Sequence, residues 1–145
     1  MEKEIILITG SVMNSDEESV SIYKSLLSMI DIENYQVSTP LDTMAFKGND
    51  YERYERAMTL LKNTKLMIAE MSTTSTGQGM ELQQAVIYNI PILVIAKQWS
   101  KISSLVKGCK NVKNIIYYDK IDNIRSDVKK FINEQLKWKN RSYTY

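Results

Sequence analysis

Short apolar runs alternate along the chain with longer stretches in which apolar residues recur every three or four positions, the spacing of strands that feed amphipathic helices. Residues 4–9 (Glu-Ile-Ile-Leu-Ile-Thr) read as a first strand that ends at Gly10-Ser11. Ser15 or Asp16 then caps a helix with Val20, Tyr23, Leu26, Leu27 and Ile30 on one face. A weaker strand over 35–39 closes at Pro40, and a polar loop punctuated by Gly48 follows over 41–49. From Asp50 a helix places Tyr54, Ala57, Met58 and Leu61 together and ends near Asn63. Residues 65–71 predict a third strand, and the small and polar residues 72–79 predict a loop. The next helix begins at Met80, with Leu82, Ala85, Val86 and Asn89 in line. Residues 91–96 are the most apolar run and predict a central fourth strand. A short helix over 102–107 stops at Gly108, a fifth strand covers 114–118, and a last helix aligns Ile124, Val128, Phe131, Ile132 and Leu136.

Apolar strands that alternate with helices predict an α/β fold: a five-stranded parallel sheet, doubly wound, with helices on both faces in the flavodoxin or Rossmann manner. Such sheets bind ligands beyond the carboxyl ends of their strands, where the strand order reverses. That rule selects the loops over 10–16, 40–49 and 72–79. Residues 1–139 are expected to form a single domain, and 140–145 a polar tail.

Composition narrows the chemistry. The chain has 145 residues, 43% of them apolar and 25% charged, ordinary values for one globular core. Lys and Arg number 19 against 17 Asp and Glu, an excess too small to predict a nucleic-acid partner. No apolar run is long enough to span a membrane, and the early charges at Glu2 and Lys3 do not resemble a secretory leader, so a cytoplasmic protein is expected. One cysteine, Cys109, excludes an internal disulfide and a multi-cysteine metal site. It has no adjacent base and reads as an incidental thiol. Histidine is absent altogether. Ser-His-Asp and Cys-His catalysis fall away with it, as do imidazole-ligated zinc sites, and carboxylates remain as acid, base or nucleophile. No metal and no cofactor is expected.

The stretch Ser72-Thr-Thr-Ser-Thr-Gly-Gln-Gly-Met-Glu81 concentrates the candidate chemistry. Gly77 and Gly79 permit a sharp turn or close approach to a ligand, and hydroxyls with free backbone N–H groups converge on a helix start that favours an anion. Glu81, placed in the first turn of that helix, either works at the mouth of a cleft or only complements the helix dipole. Neither a Walker A sequence nor the Gly-x-Gly-x-x-Gly fingerprint is present. Glu70, at the end of a buried strand, reads as an organiser of the adjacent loop. The Tyr51-Glu-Arg-Tyr-Glu-Arg56 run reads as a charged helix face with short-range ion pairs, Glu55 among them. Trp99 and Tyr88 read as packing residues, and Lys129, Lys130, Lys137 and Lys139 as a solvated face.

Ala69-Glu70, Ser75-Thr-Gly-Gln-Gly79 and Met80-Glu81-Leu82 together resemble the nucleoside 2-deoxyribosyltransferase family, and more closely its 2'-deoxynucleoside 5'-phosphate N-hydrolase branch. The likeness continues through Ala85, Pro91-Ile-Leu-Val-Ile95, residues 102–108 and the Gly10-Ser11 pair. It implies cleavage or transfer of an N-glycosidic bond of a nucleoside or nucleoside 5'-monophosphate. Glu81 matches the family's nucleophile, which forms a glycosyl-enzyme ester that water or a second base releases. Gly10, Ser11, Ser75 and Gly77 match its phosphate-binding positions, with Gly79 in the same loop. Ser103 matches one supplied by a neighbouring subunit, which implies a homodimer with shared active sites. Two positions depart from the pattern: Ala57 stands where the family carries an aspartate that helps protonate the leaving base, and Met13 where it carries an arginine. Asp42, beside Pro40 at a strand end, is the candidate to replace the missing acid, or else a plain turn aspartate. Two rival readings are a non-catalytic nucleotide-binding or sensing module and a phosphoribohydrolase of the cytokinin-activating type. The second lacks its longer Gly-Gly loop here.

Overall fold

The computed structural model describes residues 2–12 and 16–137, so Met13, Ser15, Lys139 and the tail over 140–145 lie outside the described residues. Five strands, β1 (Glu4–Thr9), β2 (Tyr35–Ser38), β3 (Thr64–Glu70), β4 (Ile92–Lys97) and β5 (Val112–Tyr118), alternate with helices α1 (Glu17–Ser28), α2 (Pro40–Ala45), α3 (Asp50–Asn63), α4 (Thr76–Ile87), α5 (Ser104–Lys107) and α6 (Arg125–Ile132). All neighbouring strands are parallel and lie in the order β2-β1-β3-β4-β5. This is the doubly wound fold the periodicity predicts.

Side chains of a strand point alternately to its two faces, and both faces of the inner strands are apolar. Ile6, Ile8, Leu66, Ile68, Leu93 and Ile95 meet Tyr23 and Leu26 of α1 and Val128 and Phe131 of α6. Leu7, Met67, Ala69, Val94 and Ala96 meet Leu61 of α3 and Leu82 and Ala85 of α4. Burial on both sides explains why these strands read as continuous apolar runs rather than as alternating ones. Among the described residues no helix is long and apolar enough to cross a membrane.

Four expectations are corrected. The polar stretch over 41–49 is not all loop. Thr39 caps α2, Pro40 occupies its first turn, and Asp42 closes a reciprocal capping box. The same Thr-Pro that reads as the end of a strand is thus the start of a helix. Residues 72–79 are also only half a loop, because Ser75 caps α4 and the helix begins at Thr76. Asn89 is not in line on that helix; it follows the helix at φ 55, a conformation asparagine tolerates better than most residues. Finally, β4 is an inner strand, but the middle place belongs to β3.

Candidate active site

Strand order reverses between β1 and β3, so the crevice forms where Thr9 ends β1 and Glu70 ends β3. Gln78, on the first turn of α4 and only 2% exposed, joins the two ends. Its Nε2 donates to the Thr9 carbonyl at 3.2 Å and to the Glu70 carbonyl at 2.9 Å. One buried amide thus binds a carbonyl at each strand end and ties α4 to the crevice.

That anchoring sets Glu81. Because α4 starts at Thr76, Glu81 lies in the second turn, and no acidic residue occupies the first. Its role as a mere partner of the helix N-terminus therefore falls away, since that effect fades within the first turn. The half-buried Glu81 instead faces the end of β1, where Thr9 Oγ1 donates to its Oε1 at 3.1 Å. Burial raises the Glu81 carboxyl above its ordinary value, and the Thr9 hydrogen bond opposes that rise. Glu81 lines a cleft with Thr9, Gly10, Thr43, Phe46, Arg53, Arg56 and Ala57. Among these described lining residues it is the sole carboxylate.

The Gly10-Ser11 pair is shaped by Tyr23. A Cβ on Gly10 would lie 2.7 Å from Cε1 of the Tyr23 ring, so only glycine lets the chain pass so close. The Tyr23 hydroxyl donates to the Ser11 carbonyl at 2.8 Å. Burial, and then the charge of Glu70, pushes the Tyr23 phenol up to about 12, so it stays a neutral donor. Ser11 is buried.

Glu70 organises the loop after β3 as expected. It is 7% exposed and accepts from Ser72 N at 2.8 Å, from Ser72 Oγ at 2.9 Å and from the Tyr118 hydroxyl. Burial and the Glu70 charge hold the Tyr118 phenol well above its ordinary value, which keeps it protonated as the donor. Ser72 Oγ in turn accepts from Lys97 N at 2.8 Å. The carboxylate is fully engaged between β3, β4 and β5.

The remaining sequence-predicted residues divide. Ser75 caps α4, its Oγ accepting from Gln78 N at 3.3 Å. Gly77 and Gly79 are helical with ordinary backbone angles, and a Cβ at either would meet nothing within 4 Å. They keep the helix start bare rather than turn the chain. Gly79 N already donates to Ser75 O at 3.2 Å. Ser103 caps α5 and lines a second cavity with Ser75, Gly79 and the half-buried Cys109. Asp42 is not brought to Glu81. Its Oδ2 accepts from Thr39 N at 2.9 Å and it faces a separate cleft with Glu55, because Thr39-Pro-Leu-Asp42 is a helix start. Ala57 does line the Glu81 cleft, and Met13 lies outside the described residues.

Sequence reasoning missed Thr9, Gln78, Phe46, Arg53 and Arg56. The two arginines do not serve an ion-paired helix face; both lie over the Phe46 ring, at 5.5 Å and 5.2 Å from its centroid. Arginines three apart on one helix face, with an aromatic residue just before the helix, are a signal that could have found them.

The fold and the site together define an α/β protein with a half-buried carboxylate at its topological switch point. No protein-family model matches the chain. A protein of Methanosarcina mazei named "Putative 2'-deoxynucleoside 5'-phosphate N-hydrolase 1" is 27% identical over 112 residues, which cover 73% of this chain and 69% of that protein. The Clostridium botulinum CMP N-glycosidase structure shares the fold with a TM-score of 0.70 at 17% identity, covering 88% of this chain and 99% of that one. The 2-desoxiribosyltransferase structure from Leishmania mexicana does so with a TM-score of 0.62 at 11% identity, covering 92% and 99%. The chain therefore resembles the nucleoside 2-deoxyribosyltransferase family and its N-hydrolase branch, as the Ser75–Gly79 motif implies.

Proposed function

We propose that the protein is an enzyme that cleaves or transfers the N-glycosidic bond of a nucleoside or nucleoside 5'-monophosphate, with Glu81 as nucleophile. The observation that carries this reading is the placement of Glu81: half-buried, hydrogen-bonded to Thr9 and open to the cleft at the switch point. Its carboxylate attacks the anomeric carbon, the base departs, and water or a second base releases the glycosyl ester. No imidazole is needed, which suits a chain without histidine. The names of the relatives support the bond type. A 5'-phosphate is received at the bare start of α4 by Ser75 and Gly77, opposite Gly10-Ser11, where the helix dipole favours an anion. Within one chain Ser103 already lines a cavity with Ser75; in a cytoplasmic homodimer the Ser103 of a second copy would add to that site.

The test is incubation with a panel of nucleosides and 5'-monophosphates, read by release of free base. Glu81→Gln is expected to lower kcat by roughly 10⁴-fold or more, as losing a nucleophile does. Unchanged release in Glu81→Gln would sink the mechanism. Tight nucleotide binding with no base release would make the protein a binding module instead.

A further inference from the structure

Resting on Glu81 attack, we propose that Arg56, braced on Phe46, receives the leaving base as an anion, and that the protein favours bases that carry keto oxygens and no exocyclic amine. The cleft around Glu81 offers no second carboxyl group, no phenol and no thiol among its described lining residues, so it holds no side chain that protonates a leaving base near neutral pH. It does hold two guanidinium groups, which keep their protons throughout the accessible range and act as donors and charges only.

The two arginines differ in a way that assigns their work. Arg53 is tied to the backbone, Nη2 donating to the Phe46 carbonyl at 2.9 Å and Nη1 to the Thr43 carbonyl at 3.3 Å. Arg56 lies over the same ring at 5.2 Å, and among the described residues no hydrogen bond or ion pair engages its guanidinium. Gly48 leaves room for the ring, since a Cβ there would stand 2.6 Å from Phe46 Cε1. Arg53, Phe46 and Gly48 thus form a fixed platform, and Arg56 carries the unused donors on it. Arg56 is half-buried and lines both the cleft that holds the nucleophile and the neighbouring one with Asp42 and Glu55, and charge there is screened less than at the surface.

The step balances without an acid. As a Glu81 oxygen bonds to the anomeric carbon, the carbon–nitrogen bond breaks and its electron pair stays on the base nitrogen. The negative charge spreads onto the base's keto oxygens, where the Arg56 N–H groups receive it. The base then takes a proton from water. A second water adds its oxygen to the anomeric carbon, returns Glu81 as a carboxylate and releases a proton, so one water is consumed overall. Preorganised positive charge, set where negative charge develops in the transition state, is the strongest source of acceleration open to such a site. An exocyclic amine facing this platform meets donors where it needs an acceptor, and an unpaired polar group costs enough for roughly tenfold discrimination or more. Uracil-, thymine- and hypoxanthine-type bases are therefore preferred over cytosine- and adenine-type bases.

A set of uracil nucleosides and their 5'-monophosphates, substituted at C5 to vary the acidity of the base, provides the test, with cytosine counterparts alongside. In the wild type kcat depends on base acidity, and Arg56→Gln is expected to steepen that dependence while lowering kcat about 10²–10³-fold. The loss should be the same with and without the 5'-phosphate, and Arg56→Lys should restore part of the rate. An unchanged dependence on base acidity in Arg56→Gln, a loss confined to KM of the monophosphates, or faster release of cytosine than of uracil overturns the proposal. Base release that dies with Glu81→Gln and survives Arg56→Gln overturns only this inference. Silence of the wild type across this panel and across purine nucleosides and 5'-monophosphates overturns the glycosidase reading as well.

Discussion

The proposed attack by Glu81 requires its ionised form, yet its half-buried position favours the protonated form, with the Thr9 hydroxyl as the opposing influence. Activity is therefore expected to rise with pH through an apparent pKa above the ordinary glutamate range. Removing the Thr9 donor takes away the one group that lowers that pKa. Thr9→Val should move the acid limb of kcat/KM to higher pH, and a limb that stays in place or moves down would refute the assignment. The same shift bears on stability. A carboxyl whose folded pKa is raised stabilises the fold while protonated, and that contribution is lost as pH rises through the folded value. At neutral pH the ionised Glu81 is thus a cost, and Glu81→Gln should raise Tm by on the order of a few degrees. Calorimetry at pH 7 checks this. The residue type at 81 was legible in the sequence through its motif. Its partner was not, because Thr9 and Glu81 stand 72 positions apart and meet only when β1 and α4 pack.

At the level of elements, α4 links the sheet to the site through a single amide. Gln78→Leu leaves the Thr9 and Glu70 carbonyls without their donor in a buried place, and should cost about 2–4 kcal/mol of unfolding free energy. Urea denaturation measures it; a loss under about 1 kcal/mol would show that water replaces the amide. The strands and the long helices were legible because burial imposes their period, and α1, α3 and α6 occur where the pattern places them. The starts of α2 and α4 were hidden for one reason. Thr39-Pro40 and Ser75-Thr76 are capping sequences made of residues that also build turns, so local composition does not separate the two. Of the two readings of Asp42, acid or plain turn aspartate, the sequence did not decide, because its place in a capping box can be assigned only once the helix start is known.

For the whole molecule, the proposed homodimer has a surface that fits it. Leu105 on α5 is 85% exposed, and Met80 and Ile87 of α4 are exposed too. Isolated apolar residues on a surface are ordinary, but Leu105 also lines the cavity that Ser103 shares with Ser75. Leu105→Glu is expected to shift the protein to monomer in sedimentation and to raise KM for 5'-monophosphates about tenfold while sparing nucleosides. A variant that stays dimeric, or a monomeric one with an unchanged KM, would argue against shared sites. The absence of histidine was plain from the sequence, and it left carboxylates as the candidates for acid, base or nucleophile. Periodicity determined the parallel α/β sheet, since apolar strands buried on both faces admit little else. Strand order, and with it the location of the crevice, was decided by tertiary structure, because no local pattern encodes which strands lie side by side. The same holds for the cleft: only packing reveals that Ala57 and Arg56 line it with Glu81 and that Arg56 lies over Phe46. Period and capping are local properties that a chain carries with it, whereas the meeting of β1, α3 and α4 is a property of the folded whole.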